Sequence, residues 1–150
     1  MQLSFREATR EDVPAVVAML ADDMLGQGRE LEALDAYFAA FDAMVEEGNN
    51  TVIVGEDDAG EIVATYQLTL ISGLSLAAAR RAQVESVRVA SHVRGKGAGQ
   101  QMFADVETRA RLAGCRLIQL AMNARRVDSR RFYEGLGFEG SHTGFKRYLD

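Results

Sequence analysis

Residues 83–99 have the sequence QVESVRVASHVRGKGAG, in which a strand pattern runs directly into a glycine-rich loop. Because side chains in a strand alternate between its two faces, the two-residue period predicts one face that carries Gln83, Glu85, Val87 and Val89. After the loop, an apolar stripe at helical spacing predicts a helix that ends at Gly114 and carries Gly99, Met102, Phe103, Val106 and Ala110 on one face. The loop therefore joins the end of a strand to the start of a helix.

The loop has the composition of a phosphate-binding site. Its glycines allow the backbone to approach a ligand closely, and the following helix presents the positive end of its dipole. Arg94 and Lys96 add full positive charges, so a pyrophosphate is the expected ligand. The glycine spacing differs from that of the dinucleotide-binding fingerprint, and no Gly-Lys followed by Ser or Thr is present. A plain tight turn remains the alternative.

The rest of the chain predicts helices and strands in a regular order. Alternating residues predict a first strand before Thr9, and Thr9 is the expected N-cap of the first helix. A hairpin is expected around Asp57-Asp58-Ala59-Gly60. The other elements are helices over 10–24, 30–47 and 129–136, and strands over 51–54, 62–71, 117–122 and 145–149. Together they predict one α/β domain over residues 1–150.

Composition limits the possible partners and compartments. A chain of 150 residues with a net charge of −5 does not suit broad nucleic-acid binding, which needs a cationic surface. The longest apolar stretch, Val13 to Ala21, is shorter than the roughly 20 residues that cross a bilayer. We therefore expect a cytoplasmic protein with no membrane partner. Cys115 is the only cysteine, so an intramolecular disulfide and a metal site of several thiolates are both excluded, and no metal is expected.

Two motifs make the chain resemble the GNAT (GCN5-related) N-acetyltransferases. The loop fits the family signature Arg/Gln-x-x-Gly-x-Gly/Ala, and Phe132-Tyr133-Glu134-Gly135-Leu136-Gly137-Phe138 is similar to a second family motif. The element order is also similar to that of the family along almost the whole chain. The resemblance implies a central mixed, mostly antiparallel, twisted sheet with splayed central strands and about four flanking helices. It also implies acetyl-CoA as the acyl donor.

The resemblance assigns residues to the cofactor. Pantetheine would enter between the strands that end at Val89 and Met122, and the backbone of Val87 and Val89 would pair with its amides. A β-bulge nearby would leave an N–H free to polarise the thioester carbonyl, with Val89 as the candidate donor. The pyrophosphate would bind at Arg94, Gly95, Lys96, Gly97, Ala98 and Gly99. Asn123 is either a pantetheine contact or a turn former, and Arg126 departs from the asparagine often found at its position.

Catalytic and acceptor-binding residues follow from the same resemblance. Glu85 is the candidate base or substrate-binding group, and the alternative is an ordinary exposed charge on a strand. Tyr133 is the candidate general acid, and the alternative is an aromatic that packs in its helix. Asp22 and Asp23 would hold a cationic acceptor unless they are only solvated residues at a helix end.

The expected reaction is transfer of an acetyl group to a primary amine by direct attack in a ternary complex. A small cationic molecule is the expected acceptor, because the chain is acidic. The alternatives are an N-acetyltransferase acting on a protein or peptide, and a non-catalytic module that binds acyl-CoA. A homodimer is a possible assembly.

Overall fold

The computed structural model describes residues 1–21 and 34–150. These residues form two compact units, Met1–Gln119 and Leu120–Asp150. The first unit contains most of the sheet and the glycine-rich loop, and the second contains the last helix.

Within the described residues, five strands form one mixed sheet in the order β1-β2-β3-β4-β5. The strands are β1 (Ser4–Glu7), β2 (Asn50–Glu56), β3 (Ile62–Ile71), β4 (Arg81–Val89) and β5 (Leu117–Leu120). Neighbours from β1 to β4 pair in antiparallel fashion. At β5, Arg116 N donates to the carbonyl of Arg80 at 2.8 Å, and Gln119 Nε2 donates to Gln83 Oε1 at 2.6 Å. Because residue numbers rise together on the two strands, β5 runs parallel to β4.

The helices of the described residues are α1 (Val13–Ala21), α2 (Leu34–Glu47), the four-residue turn α3 (Ser75–Ala78), α4 (Ala98–Leu112) and α5 (Val127–Gly135). A 3-10 turn over Arg10–Asp12 precedes α1, where Thr9 is the N-cap as expected. In α3, Leu76, Ala77 and Ala78 have φ values of 55, 57 and 61°, so this turn is left-handed. Left-handed backbone costs an L-residue about 1–2 kcal/mol, and no pattern in the sequence predicts this turn.

The core lies on β3 and its neighbours. The buried residues of α4 include four from the expected stripe: Met102, Phe103, Val106 and Ala110. Those of α1 are Val13, Val17 and Ala21. On the sheet, the largest fully buried side chains are Ile53, Val54, Val63, Thr65, Tyr66 and Val84. Both faces of β3 are therefore covered where its buried residues lie, and β4 is held beside it by the antiparallel ladder.

The expected elements differ from the observed ones mainly at the C-terminal end. The first two helices are found, but residues 22–24 and 30–33 of the predicted ranges lie outside the described residues. The predicted strand over 145–149 is wrong, because residues 139–150 form no regular element. Phe145, Tyr148 and Leu149 are 92, 87 and 88% exposed, so no buried face stabilises a strand there.

Of the helices in residues 1–21 and 34–150, none combines the length and the apolar character needed to span a membrane.

Candidate functional site

A β-bulge interrupts β4 beside the proposed acetyl site. Glu85 pairs with Gln67 of β3, whereas Arg88 pairs with Thr65. Three steps along β4 therefore match two steps along β3, so β4 contains one extra residue. Ser86, at the bulge, has a φ of 52°, which is uncommon for a residue with a side chain. The expected bulge is present, and it lies at Ser86 and Val87.

The bulge changes which residues of β4 lie on the same face of the sheet. Directly paired residues project on the same side of a sheet, and Glu85 pairs with Gln67 while Val89 pairs with Ala64. Gln67 and Ala64 are three residues apart and lie on opposite faces. Val89 therefore does not share a face with Glu85, and the prediction from the two-residue period is wrong. The extra residue reverses the alternation after Ser86.

The backbone of Val89 points away from β3. Ala90 N donates to Val63 O at 2.8 Å, which makes Val89 and Ala64 a non-hydrogen-bonded pair. In such a pair the N–H and C=O groups face the other edge of the strand, on the side of β5. Since Gln119 meets Gln83 and β5 ends at Leu120, Val89 lies roughly five residues, about 15 Å, beyond the end of β5. The two strands are thus paired only along the first half of β4.

The glycine-rich loop has the backbone that its sequence predicts. Gly95 and Gly97 have φ values of 78 and 82°, a region that favours glycine. Gly97 is the N-cap of α4 and provides no side-chain hydrogen bond to the first turn. A helix N-terminus without a capping side chain leaves backbone N–H donors available to an anion. A Cβ built on Gly97 would meet no atom within 4 Å, so the space above the loop is open.

Arg94 connects this loop to the bulged strand. Its Nε donates to Val89 O at 3.3 Å, across the 3-10 turn Ser91–Val93. On the same strand, Arg88 Nη1 donates to Val87 O at 2.9 Å. A pantetheine amide that donates to either carbonyl would have to share it with a guanidinium, which a carbonyl with two lone pairs permits. Arg94 and Lys96 are both exposed, as a phosphate site requires.

Glu85 is exposed and stands directly before the bulge. Its carboxylate forms neither a hydrogen bond nor an ion pair with another residue of the described part of the chain. As far as residues 1–21 and 34–150 are concerned, the charge is available to a cationic ligand. Gln67 lies opposite Glu85, and Gln83 lies two residues earlier on the same face. Both side chains are half-buried.

Tyr133 lies in the second unit, in α5. Its ring contacts those of Phe132 and Phe138 edge to face, with centroid distances of 5.4 and 6.0 Å. The chain turns back immediately after α5, because Phe138 N donates to Tyr133 O at 3.1 Å. The aromatic packing expected as the alternative role is thus present, and it also fixes the ring. The role of the hydroxyl as an acid stays a prediction.

Of the remaining candidate site residues, the structure describes Asn123 but not the two aspartates. Asn123 Oδ1 accepts a hydrogen bond from Arg125 N at 3.0 Å, so this residue forms a turn before α5. A contact with pantetheine stays a prediction. Asp22 and Asp23 lie outside the described residues.

Sequence reasoning misses the polar residues around Glu85. It places Gln67 and Gln119 in strands and gives neither of them a role. The signal that could have found them is the presence of amide side chains at positions where neighbouring strand residues are apolar. Only the strand order and register show that these amides belong to adjacent strands.

Comparison with known proteins gives a consistent result. Residues 15–138 match the model of the Acetyltransferase (GNAT) family. The chain is 29% identical over 144 residues to an aminoalkylphosphonate N-acetyltransferase of Salmonella typhimurium, covering 96% of this chain and 90% of that protein.

Solved structures agree on the fold. A protein of Bacillus halodurans named a transcriptional regulator is 40% identical, with a TM-score of 0.91 and coverage of 99% of this chain and 100% of that one. A predicted acetyltransferase of Clostridium acetobutylicum, crystallised with acetyl-CoA, has a TM-score of 0.76 at 16% identity, covering 99 and 97% of the two chains. The family match, the sheet with its bulged β4 and the loop before α4 together show that the chain belongs to the GNAT family and is an N-acetyltransferase.

Proposed function

We propose that this protein transfers the acetyl group of acetyl-CoA to the primary amine of a small cationic molecule, by direct attack in a ternary complex. The observation that carries the proposal is the arrangement along β4 and the loop that follows it. A carboxylate with no partner among the described residues comes first, at Glu85. A bulge, an outward-facing backbone N–H and an open helix N-terminus follow it in the segment that ends at Gly99.

The loop is the proposed site of the cofactor's pyrophosphate. Gly95 and Gly97 let the backbone approach the phosphates, and the first turn of α4 contributes N–H groups and the helix dipole. Arg94 and Lys96 contribute positive charge. The chain is acidic overall, so these two cations at an uncapped helix N-terminus are a local exception that suits an anion.

The edge of β4 is the proposed site of the pantetheine arm. When bound, acetyl-CoA supplies the acetyl group as an activated thioester. The N–H of Val89 faces the edge beyond the end of β5, and we assign to it the donor that stabilises negative charge on the thioester oxygen. Val87 offers a second backbone position on the same edge, and Asn123 is the proposed side-chain contact.

Proton transfer is assigned to two side chains. Glu85 would take the proton of the incoming ammonium, which has an ordinary pKa of about 10.4 for a lysine-like amine and is therefore charged at neutral pH. Tyr133 would donate a proton to the departing thiolate. Its ring is fixed by Phe132 and Phe138, which would keep the hydroxyl in one place. Asp22 and Asp23 are the proposed additional contacts to a cationic acceptor.

One comparison supports a small-molecule acceptor over the alternatives. The Salmonella typhimurium relative is named for an aminoalkylphosphonate, which is a small amine, and it matches almost the whole chain. The Bacillus halodurans relative is named a transcriptional regulator, but a net charge of −5 does not suit a surface that binds DNA. Acetylation of a protein or peptide, binding of acyl-CoA without catalysis and a homodimeric assembly remain alternatives that no observed contact favours.

The experiment that tests the function measures CoA release from acetyl-CoA with a panel of small amines, polyamines, aminoglycosides and peptides. We expect turnover with at least one small amine, and a rise in melting temperature on addition of CoA. Turnover only with peptides would reject the acceptor class. An unchanged melting temperature at millimolar CoA would reject the cofactor site.

A further inference from the structure

The surface around Glu85 is formed by side-chain amides on four strands. Asn50 of β2 pairs with Thr69 of β3, Gln67 pairs with Glu85, and Gln83 pairs with Thr69 from the other side. Paired residues project on one face, so all of these lie on the face of Glu85. Gln119 of β5 reaches the same face, because it bonds the Gln83 side chain. We call Asn50, Gln67, Thr69, Gln83 and Gln119 the amide strip.

The strip is organised in two hydrogen-bonded clusters. In one, Asn50 Oδ1 accepts from Gln67 Nε2 at 2.9 Å and from Thr69 Oγ1 at 3.0 Å. In the other, Gln119 Nε2 donates to Gln83 Oε1 at 2.6 Å. These bonds fix the orientation of the amides. They leave Gln67 Oε1 and Gln83 Nε2 without a side-chain bond to any residue in 1–21 or 34–150.

An acceptor on Gln67 and a donor on Gln83 therefore lie on the same face as a carboxylate that has no partner among the described residues. Gln67 is directly opposite Glu85, about 5 Å away between Cα atoms, and Gln83 is about 7 Å away along β4. All the members of the strip are half-buried, so a ligand that covers them must replace the hydrogen bonds that water makes to their free polar atoms. An amine held at Glu85 would place the next few atoms of its body over these two amides.

From this arrangement we infer that the strip selects an acceptor whose body carries neutral hydrogen-bonding groups, such as hydroxyls or amides, within several ångströms of the amine. The inference rests on the proposed function, because it assumes that the amine reacts beside Glu85. An aliphatic amine would leave Gln67 Oε1 and Gln83 Nε2 covered and unpaired. Sites built to bond a hydroxyl reject the analogue without it more strongly than apolar pockets reject an extra group.

Arg81 is one of two neighbouring cations that would favour an anionic acceptor instead. It lies on the same face of β4, but four residues from Glu85, which is about 13 Å along the strand. Its Nη1 already faces Gln119 Oε1 at 3.5 Å. A small acceptor held at Glu85 would meet the amides before it could reach Arg81. The second cation, Arg88, pairs with Thr65, two residues from Gln67, and so lies nearer on the same face, but its Nη1 already donates to Val87 O at 2.9 Å. The neutral body is therefore the favoured one.

The test compares four amines at saturating acetyl-CoA: an aminoalcohol (4-amino-1-butanol), pentylamine, 3-aminopropylphosphonate and 1,4-diaminobutane. We expect the aminoalcohol to exceed pentylamine in kcat/KM by about tenfold or more, and to exceed the other two amines as well. Equal values for the aminoalcohol and the alkylamine would overturn the inference. A preference for the phosphonate would assign recognition to a cation such as Arg81 and would also overturn it.

Variants then assign the preference to the strip. Gln67→Met and Gln83→Met should each reduce the ratio of aminoalcohol to alkylamine turnover by about threefold to tenfold, as expected for one hydrogen bond. Gln2→Met makes the same change at an exposed position before β1 and should leave the ratio unchanged. An unchanged ratio in both strip variants would contradict the proposal.

If none of the four amines is acetylated, the proposed function fails for this class, and binding becomes the second measurement. In the presence of CoA, the aminoalcohol should raise the melting temperature more than pentylamine does. Equal shifts, or none, would overturn the selection by the amide strip independently of turnover.

Discussion

The phenol of Tyr66 on β3 donates a hydrogen bond of 2.6 Å to Asp105 Oδ2 on α4. The same carboxylate oxygen accepts from Arg109 Nε at 2.7 Å, and Arg109 Nη2 donates to Phe5 O on β1 at 3.2 Å. Tyr66 is 1% exposed, so its hydroxyl has no solvent alternative. These contacts connect the helix that follows the phosphate loop to two strands of the sheet.

Replacing Tyr66→Phe should lower the free energy of unfolding by about 1–3 kcal/mol, because a buried bond to a charged group is lost while the ring remains. Burial, and then the hydrogen bond to Asp105, raise the pKa of Tyr66 above its usual value of about 10. Its contribution should therefore be complete below about pH 10 and decline above it. Urea unfolding at pH 7 measures the loss.

Asp105→Ala is the companion variant. It removes the partner of both Tyr66 and Arg109, so its loss should exceed that of Tyr66→Phe. Thr108→Ala alters an exposed residue of the same helix and should change stability by less than either. If Tyr66→Phe and Asp105→Ala were both as stable as the wild type, the hydrogen bond between Tyr66 and Asp105 would contribute nothing to the free energy of unfolding.

Much of the fold could be predicted because local signals were strong. The 62–71 strand agrees with β3 at both ends, and the helix after the loop begins where Gly97 has a left-handed φ. The prediction of a strand over 145–149 was wrong because β propensity alone does not supply a neighbouring strand. The left-handed α3 could not be expected either, since nothing in an alanine-rich segment selects positive φ values.

The sequence predicts where along the chain the site lies, but not which side chains of the site are neighbours. The loop from Arg94 to Gly99 carries its own signal in glycines and cations. The face of Val89 depends on one extra residue at Ser86, and that bulge is visible only in the register of β4 against β3. The amides of Gln67 and Gln119 become neighbours of Glu85 only through the strand order.

Gly97→Asp should abolish the rise in melting temperature caused by CoA. A binding ligand stabilises the folded state by about 2.7 kcal/mol at a hundredfold excess over its dissociation constant. The new carboxylate would project into the open space above the loop, where phosphate is expected. Thermal melts with and without CoA provide the measurement.

Gly48→Asp is the matched control for backbone strain. Gly48 has a φ of 81°, close to the 82° of Gly97, and a Cβ there also meets no atom within 4 Å. Both variants place a side chain at a left-handed position, although the helix dipole favours the carboxylate only at Gly97, which precedes α4, and opposes it at Gly48, which follows α2. Only Gly97→Asp should lose the response to CoA. A normal CoA response in Gly97→Asp would show that the phosphate does not approach this residue.

Asp12→Asn should reduce stability in a pH-dependent manner. The hydrogen bond from Arg6 lowers the pKa of Asp12 to about 2, from about 3.9 in the unfolded chain. This stabilisation is complete above about pH 4 and is lost as pH falls toward 2. Because Arg6 is partly exposed and screened by solvent, we expect a loss of about 1 kcal/mol at pH 7.

The measurement is urea unfolding of the wild type and Asp12→Asn between pH 2 and 7. The difference should be constant from pH 5 to 7 and should approach zero near pH 2. Asp58→Asn, at an exposed position of the hairpin, should show no such trend. A difference that persists unchanged at pH 2 would mean that the ion pair is not its cause.

Tyr133→Phe should lower kcat and leave CoA binding close to normal. The change removes only a hydroxyl, so the contacts with Phe132 and Phe138 are kept. General acids contribute about a hundredfold to ten-thousandfold, and we expect the lower end because thiolate is a good leaving group. Tyr148→Phe, in which an 87% exposed residue loses the same atom, should have the wild-type rate. Equal rates for all three proteins would exclude Tyr133 as the acid.

Glu85→Gln should lower turnover most strongly at low pH. The substitution keeps the shape of the side chain and removes the charge that would accept a proton from the ammonium. As pH rises from 6.5 to 9.5, the fraction of free amine rises about tenfold per pH unit for an amine of pKa near 10.4, so the need for a base declines. The deficit in kcat should therefore shrink with pH if Glu85 is the base.

If Glu85 only holds the cation, KM should rise instead, and the deficit should persist through this range because the acceptor stays charged. A variant with the wild-type kcat and KM at every pH would remove Glu85 from both roles.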